Sequence, residues 1–401
     1  MNITGIITEY NPFHNGHKFH LEEAKKQTNC DGVICIMSGN FVQRGGPAIV
    51  DKWQRTEIAL NNGVDLIIEL PTFYAVSSAE FFAKGAVSIL NSLGVVDNIF
   101  FGSECGDSKK LLEIAKVLVS EDSDFQNLLK RNLSLGLTFA KSREKSLIEY
   151  LNDEDINNIV TSSNNILGIE YIKAILKLGS SINPVTLKRE GSNYNDKEIS
   201  TSFSSATSIR EVLKSSSPIE NIKNLIPLES YEIFSKLQEE NYDFIFDEEM
   251  FKYIKYKIQT NCINFNNLYE ITEGLENKII KEISSSNSYD EFILKIKSKR
   301  YTYSKISRLL THIYLGLDND CFKNIEDTNN LYARVLGFNK KGREILSLIK
   351  SNSSIPLITK VPRFSDNPLL KFDLQATAAY SILNNKVNPY NDYLKSPIIK
   401  Y

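Results

Sequence analysis

Histidine, cysteine and tryptophan are scarce in this chain of 401 residues, which has four, five and one of them respectively. The cysteines form no CxxC pair, and no His/Cys spacing suits zinc. The chain does not start with a basic stretch followed by an apolar one, as a signal peptide does, so we expect a reduced cytoplasmic protein. No apolar run approaches the ~18 residues that suggest a membrane span, so we expect no membrane partner.

An excess of charge of either sign is also missing, since the formal net charge is −2 at pH 7. Proteins that coat nucleic acid non-specifically depend on many Lys and Arg residues that neutralise phosphates. The balance argues against such a protein but is compatible with a local basic surface. With 42% hydrophobic residues, the chain is long enough for two domains, each with its own core.

Short apolar runs alternate with amphipathic segments in the first part of the chain. The runs are 3–8, 32–38, 64–70 and 98–104, and a fifth follows at 182–188. Continuous apolar runs are typical of parallel strands that are buried on both faces. We therefore predict an α/β fold whose N-terminal domain, 1–220, is a Rossmann-like parallel-sheet nucleotidyltransferase domain. Helical periodicity at 247–258, 267–283, 290–312 and 340–350 predicts a mainly α-helical domain over 221–401.

Three of the four histidines, His14, His17 and His20, lie in or just after the sequence HNGH. This sequence follows the first predicted strand and begins the first predicted helix, at the sheet edge where open parallel sheets bind ligands. Gly16 permits close approach of a nucleotide, and the helix start offers free N–H groups to an anion. We predict that His14 and His17 stabilise a triphosphate as pyrophosphate leaves, while His20 either reaches the site or packs beneath it.

An isolated HxGH is equally compatible with surface histidines in a polar turn, but a second motif favours the nucleotide site. The sequence SSATSIR, 204–210, resembles the second signature of the HxGH nucleotidyltransferases. Ser204, Ser205 and Thr207 can cap a helix and donate hydroxyls to phosphate, and Arg210 supplies a cationic fork. Taken alone, the motif is compatible with a well-capped helix. Together the two motifs predict that His14, His17 and Arg210 are catalytic.

Seven stretches spread over the whole chain resemble the tRNA(Met) cytidine acetate ligase family. They are GIITEYNPFHNGH, MSGNFVQRGGPA, DKWQRTEIALNNGVDLIIELP, FFGSE, SNNILGIEYIKAI, LKREGSNYND and SKRYTYSKISR. The resemblance implies a ligase that activates acetate with ATP, accompanied by Mg²⁺, to give acetyl-adenylate and pyrophosphate. It further implies acetylation of N4 of the wobble cytidine of elongator tRNA(Met). The pairing of HNGH with SSATSIR, which provides for nucleotide phosphates twice, predicts that acetyl-coenzyme A is not used.

The resemblance also implies an ATP site, to which the chemistry of SSATSIR adds Ser205 and Thr207. The implied residues are Ile7, Thr8, Glu9, Tyr10, Asn11, Pro12, Phe13, His14, Asn15, Gly16, His17, Lys18, Phe19, His20, Gly102, Asn165 and Arg189. Taken alone, Gly102 is compatible with a tight turn, Asn165 with a helix cap and Arg189 with a surface ion pair. No residue is assigned to a metal.

A basic stretch with interleaved tyrosines suits phosphate contact and base stacking, and predicts the tRNA-binding surface. Its residues are Lys295, Lys297, Lys299, Arg300, Tyr301, Tyr303, Lys305 and Arg308. Such a run is also compatible with a solvated helix face. The glycine-rich loop 37–48 follows the second strand and is expected either to close over the adenylate or to meet the tRNA.

Two other functions fit the same motifs. One is a small-molecule adenylyltransferase of the same fold, which the long helical segment disfavours. The other is a non-catalytic tRNA-binding protein with a nucleotide pocket. The sequence leaves open how tRNA(Met) is selected, what restricts the acid to acetate, which group is the base for the amine attack, and the oligomeric state.

Overall fold

The computed structural model describes residues 1–189, 205–215, 218–269, 271, 274–325 and 330–401. Ser204, one of the predicted cap residues, lies outside this set. The strands are β1 (Ile3–Thr8), β2 (Gly32–Ser38), β3 (Leu66–Leu70), β4 (Asn98–Ser103), β5 (Asn183–Lys188), β6 (Ala333–Phe338), β7 (Leu357–Ile358) and β8 (Ile398–Ile399). The first five match the five predicted apolar runs to within two residues at each end.

Helices cover both faces of the sheet and fill most of the second half of the chain. In the first half they are α1 (Asn15–Thr28), α2 (Lys52–Asn61), α3 (Thr72–Ala75), α4 (Ala79–Ser92), α5 (Ser108–Ser120), α6 (Ser123–Ser134), α7 (Phe139–Leu151), α8 (Ile156–Thr161), α9 (Ser163–Lys177) and α10 (Ala206–Lys214). In the second half they are α11 (Leu228–Glu239), α12 (Asp247–Gln259), α13 (Leu275–Ile283), α14 (Tyr289–Ile296), α15 (Tyr303–Leu315), α16 (Asn319–Ile325), α17 (Lys340–Asn352), α18 (Pro368–Leu383) and α19 (Asn391–Leu394). Within the described residues, no helix combines the length and apolarity needed to cross a membrane.

The sheet has the order β5-β4-β1-β2-β3-β6-β7, and its first five strands are parallel. From β1 the chain moves to one side for β2 and β3, and it returns to the other side for β4 and β5. The strand order therefore reverses between β1 and β4, which is where ligands bind in open parallel sheets. The predicted α/β fold with a parallel sheet is confirmed, and HNGH follows the strand at this reversal.

The second half of the chain is mainly helical, as predicted, but it also contributes strands to the same sheet. β6 pairs antiparallel with β3, and β8 pairs with β6. The two predicted segments thus share one sheet, and the domain boundary at residue 220 stays a prediction.

The single helix predicted over 290–312 is wrong, because two helices, α14 and α15, lie there with 297–302 between them. Thr302 Oγ1 accepts a hydrogen bond from Lys305 N (3.4 Å), which caps the start of α15. Hydrophobic periodicity alone does not detect this interruption, because α14 and α15 both bury apolar residues.

Four buried charged side chains join the sheet to the second half of the chain. Lys52 Nζ lies 2.7 Å from Glu69 Oε1 and 2.9 Å from Asp392 Oδ1. Arg334 Nη1 lies 3.2 Å from Glu69 Oε2, and Arg334 Nη2 lies 3.0 Å from Asp392 Oδ1. Each side chain is at most 3% exposed. The four charges alternate in sign around a closed ring, so each cation faces both carboxylates.

Lys52→Met should lower the free energy of unfolding by about 3–5 kcal/mol, because it leaves two buried carboxylates to share one cation. The matched control is Glu57→Gln, which breaks a half-exposed pair between Lys400 and Glu57 (37% and 39% exposed). That control should change stability by less than about 1 kcal/mol. Denaturant unfolding measures both, and equal effects would contradict a structural role for the ring.

Candidate active site

The two histidines of HNGH cap the start of α1 with their imidazoles. His14 is the residue before the helix, and its Nδ1 accepts a hydrogen bond from Gly16 N (3.0 Å). His17 Nδ1 accepts from His14 N (3.3 Å), and the two rings stack with centroids 3.8 Å apart. Because each Nδ1 is an acceptor, the proton of each neutral imidazole lies on Nε2. His14 therefore presents an N–H donor on the side of its ring away from the backbone, whereas the His17 ring makes a further hydrogen bond with the backbone of Pro12.

The histidines stay neutral because they are removed from water and lie near arginines. Burial, with Arg189 and Arg210, lowers the pKa of His14 to about 3. Burial and the neighbouring histidines hold the pKa of His17 well below its usual value. Burial and Arg189 lower the pKa of His20 to about 4. At neutral pH these rings are hydrogen-bond donors without charge, and the positive charge of the site comes from the arginines.

Arg210, in the middle of α10, is held by two contacts. Its Nη1 donates to Asn11 O (2.6 Å) and its Nη2 donates to Thr207 Oγ1 (3.2 Å). Ser205 caps this helix, since its Oγ accepts from Ser208 N (3.1 Å). The predicted capped helix that carries an arginine is confirmed. The hydroxyl of Thr207 orients Arg210, a role that the sequence did not suggest.

Three further residues of the predicted ATP site, Gly102, Asn165 and Arg189, lie near the carboxyl ends of β4 and β5. Gly102 leaves space for the Arg189 side chain, since a Cβ there would lie 3.3 Å from Arg189 Cγ. Asn165 is the third residue of α9 rather than its cap, and its Oδ1 accepts from Glu104 N (2.9 Å) and Cys105 N (3.1 Å). In return, Glu104 Oε2 accepts from Asn165 N (2.8 Å). This reciprocal pair fixes the turn that follows β4.

The predicted ATP site also includes the other residues of 7–20. Some of them pack against the histidines, and others contact the second half of the chain. Tyr10, Asn11, Pro12 and Phe13 are buried, and the rings of Tyr10 and Phe13 pack on His17. Two residues of α1 face the second half of the chain instead: Asn15 Nδ2 donates to Asn224 O (2.9 Å), and Lys18 pairs with Glu229 at 3.4 Å. The others are Ile7, Thr8, Gly16 and His20, which are half-buried, and Phe19, which is exposed. His20 packs against Phe100.

The loop 39–48 is held over the carboxyl end of the sheet. Gln43 N donates to Glu9 Oε1 (2.7 Å), and Ser307 Oγ of α15 donates to Gly45 O (2.7 Å). Arg44 is half-buried near Glu9 and Arg210, and burial lowers its pKa to about 10. The loop thus lies between the histidine site and α15, the helix in which the predicted tRNA-binding stretch ends.

Arg55, which the sequence did not single out, supports this loop from below. Its guanidinium is 1% exposed and donates to Glu9 O (2.7 Å), Ser38 O (3.0 Å) and Gly39 O. These carbonyls lie at the ends of β1 and β2, beside the site. A buried guanidinium requires hydrogen-bond partners, but nothing in the sequence indicated that Arg55 is buried.

The predicted tRNA-binding stretch spans the break between α14 and α15. Lys297, Lys299 and Arg300 are exposed there. Lys295 pairs with Glu291 (2.7 Å), and Tyr301 is only 6% exposed, with Lys305 Nζ 4.9 Å from its ring centroid. The remaining member, Arg308, is half-buried, and its backbone packs against Gly45.

The carboxylates near the site do not form a metal cage. No group of three His, Cys, Asp or Glu side chains in the described part of the chain is arranged to hold a metal ion. Mg²⁺ in nucleotide enzymes is usually held by substrate phosphates and waters with one or two carboxylates. The donor set here therefore fits a metal that arrives with the nucleotide, and no residue is assigned to it.

Comparisons with known proteins agree with this site. Residues 1–393 match the family described as HIGH Nucleotidyl Transferase. The chain is 50% identical over 400 residues to the tRNA(Met) cytidine acetate ligase of Clostridium novyi (strain NT), covering 99% of each chain. It is 45% identical over 404 residues to the protein of that name from Clostridium tetani (strain Massachusetts / E88), covering 100% of both.

Two solved structures have the same fold throughout. The chain matches apo Thermotoga maritima TmcAL with a TM-score of 0.92 and 34% identity, covering 100% of this chain and 99% of that one. It matches the form of TmcAL bound with alpha-thio ATP with a TM-score of 0.89 and 33% identity at the same coverage. The chain resembles these relatives over its full length, and its two motifs lie at one edge of the sheet. It is therefore an enzyme of the tRNA(Met) cytidine acetate ligase family, within the HIGH nucleotidyl transferases.

Proposed function

We propose that this enzyme activates acetate with ATP and transfers the acetyl group to N4 of the wobble cytidine of elongator tRNA(Met). The observation that carries the proposal is the pair of neutral imidazoles at the start of α1, with Arg189 and Arg210 near enough to lower the pKa of His14. Neutral N–H donors and fixed cations suit a polyphosphate whose negative charge shifts during reaction. The names of the relatives supply the acceptor and the acid.

In the first step, an acetate oxygen attacks the α-phosphorus of ATP and the bond to the β-phosphate oxygen breaks. Pyrophosphate leaves, and acetyl-adenylate remains. His14 and His17 donate from Nε2 to phosphate oxygens, and Arg210, held by Asn11 and Thr207, balances the charge. When Mg²⁺ accompanies the nucleotide, it neutralises part of the phosphate charge. The residues of 7–20 other than Asn15, Lys18 and Phe19 shape the ATP pocket together with Gly102, Asn165 and Arg189.

In the second step, the exocyclic amine of cytidine attacks the acetyl carbonyl carbon. The bond between that carbon and the adenylate oxygen breaks, AMP leaves, and the amine loses one proton. The base has to leave its stack for this attack. The exposed cations Lys297, Lys299 and Arg300 are proposed to hold the tRNA backbone. We also propose that the protein acts in the cytoplasm, together with its tRNA.

The first test is the acetyl source. Purified protein and tRNA should give N4-acetylcytidine with acetate plus ATP, together with AMP and pyrophosphate. Acetyl-coenzyme A alone should give none, because a ready-made acyl donor needs no site for departing pyrophosphate. Digestion of the tRNA to nucleosides measures the product. Acetylation from acetyl-coenzyme A without ATP would refute the adenylation step, and acetate-dependent adenylate formation without RNA product would favour a small-molecule enzyme.

His17→Ala should slow adenylate formation by ~10²–10³, because it removes one donor to the developing charge. The measurement is acetate-dependent exchange of pyrophosphate into ATP. His17→Gln is the matched variant, since it retains an N–H donor and should retain part of the rate. Thermal unfolding separates this effect from loss of the helix cap, which costs about 1 kcal/mol. An exchange rate for His17→Ala equal to the parental rate would contradict the assignment.

Removing the charges of Lys297, Lys299 and Arg300 together should weaken tRNA binding and reduce its dependence on salt. Each lost phosphate contact lowers the slope of log K against log salt by about 0.7–0.9. Removing Lys116, Lys130 and Lys145, which are also exposed, is the matched control and should leave the slope unchanged. Binding titrations at several salt concentrations give both slopes. Equal slopes for the two triple variants would show that the 297–300 segment is a solvated surface that does not contact tRNA.

A further inference from the structure

Loop 39–48 is attached on one side to the segment that carries the histidines. Gln43 N donates to Glu9 Oε1 (2.7 Å), and Glu9 directly follows β1. The carbonyl of Glu9 also accepts a hydrogen bond from Arg55 Nη1 (2.7 Å), so this anchor is itself held in place. The chain continues from Glu9 into HNGH. The tip of the loop is therefore bonded to the start of the histidine site.

The same loop is attached on its other side to α15. Ser307 Oγ donates to Gly45 O (2.7 Å) and shares a further hydrogen bond with the hydroxyl of Tyr289 (2.8 Å). Gly45 has φ 85°, and a Cβ at this position would collide with Arg308 N. Glycine thus allows the loop backbone to lie directly against the helix. Because Arg308 belongs to the predicted tRNA-binding stretch, the loop contacts that stretch as well as the histidine segment.

Arg44 is the residue between these two attachments. Val42 O accepts from Gly45 N (3.0 Å), which closes a turn with Gln43 and Arg44 at its centre. The Arg44 side chain therefore begins at the boundary between the histidine site and the predicted tRNA surface. It is half-buried, and burial lowers its pKa to about 10, so the guanidinium remains protonated at neutral pH.

The base of the loop is fixed as firmly as its tip. Asn40 Oδ1 accepts from Lys52 N (2.8 Å), and Asn40 O accepts from Ala48 N (2.9 Å). Ala48 O in turn accepts from the hydroxyl of Tyr380 (2.7 Å). A side chain on such a backbone is placed before its ligand arrives, which reduces the freedom that binding removes. Arg44 is therefore suited to orient a reactant.

A guanidinium at this boundary matches one edge of cytosine. Beside the exocyclic amine N4, that edge presents N3 and O2, which both accept hydrogen bonds. Arginine has only donors, and its planar fork makes two parallel hydrogen bonds. In uracil N3 carries a hydrogen, so the same fork would place a donor against a donor. Proteins read unpaired RNA bases through such contacts with their Watson–Crick edges.

We propose that Arg44 orients the acceptor cytidine, donating to N3 and O2 of the base so that N4 faces the acetyl group of the adenylate. The proposal rests on the proposed function and names a specificity residue for its second step. Holding two reactants in a productive geometry lowers the barrier to their reaction. The contact is made to the RNA, so it contributes to acetyl transfer and not to adenylate formation.

The main test supplies synthetic acetyl-adenylate and tRNA(Met) to the full chain and follows a single turnover. Arg44→Ala should slow acetyl transfer by ~10² because the base is no longer oriented. Acetate-dependent exchange of pyrophosphate into ATP should persist in this variant, which also shows that it is folded. Arg363→Ala, which removes an exposed arginine elsewhere, is the control and should leave both rates unchanged.

Two outcomes of this experiment would overturn the proposal. The first is acetyl transfer by Arg44→Ala at the parental rate. The second is loss of pyrophosphate exchange in a variant that unfolds thermally like the parent, which would show that Arg44 serves ATP instead of the RNA.

Arg44→Lys separates the shape of the guanidinium from its charge. Lysine keeps the positive charge but cannot make two parallel hydrogen bonds in one plane. This variant should therefore transfer the acetyl group almost as slowly as Arg44→Ala. Transfer by Arg44→Lys at the parental rate would show that charge alone is sufficient, and it would overturn the two-point contact.

A change in the RNA tests the same contact from the other side. A tRNA(Met) with 3-deazacytidine at the wobble position lacks the N3 acceptor and keeps N4 and O2. The ratio of parental to Arg44→Ala transfer rates should be smaller with this tRNA, because one of the two contacts is already missing. Equal ratios for the two tRNAs would overturn the contact with N3. If the parental protein does not acetylate normal tRNA(Met) from acetyl-adenylate, the proposed function fails rather than the role of Arg44.

Discussion

The closed ring of Lys52, Glu69, Arg334 and Asp392 is the interaction on which the arrangement of the two halves depends. Buried charges are stable only when each one contacts charges of the opposite sign. The ring therefore forms only when β6, which carries Arg334, and α19, which carries Asp392, lie beside β3, which carries Glu69. Asp392 also accepts a hydrogen bond from Thr377 (2.7 Å), which bonds to the amide of Asn40 (3.3 Å). The ring therefore also anchors the base of loop 39–48, which separates the histidine site from α12 and α15.

The histidine site combines imidazoles with arginines, which would repel one another if the imidazoles were also positively charged. The imidazoles of His14 and His17 each accept a backbone hydrogen bond through Nδ1, which places the proton of each neutral ring on Nε2. Burial is the main cause of the low histidine pKa values; Arg189 adds to it at both rings, and Arg210 adds to it at His14. A polyphosphate thus meets donors whose orientation is set before it binds, which is the condition for stabilising charge that develops during reaction.

The local sequence pattern was sufficient to predict those helices and strands that are determined by residues close together in the sequence. The five parallel strands and the capped helix that carries Arg210 are where the sequence predicts them. The pairing of β6 with β3 joins residues some 270 positions apart, and local periodicity carries no information about such contacts. Glu69 indicates a buried cationic partner, because a carboxylate inside a strand that is buried on both faces needs a cation. The sequence could not name Arg334 as that cation.

The central claim is that acetate becomes bonded to the α-phosphorus of ATP before it reaches RNA. The most direct measurement is a turnover with acetate that carries ¹⁸O at both oxygens, followed by mass spectrometry of AMP, pyrophosphate and the acetylated nucleoside. If acetyl-adenylate forms, one labelled oxygen remains on AMP when the amine displaces it, and one remains in the N4-acetyl group. Unlabelled AMP, with the label in pyrophosphate or phosphate, would contradict the account.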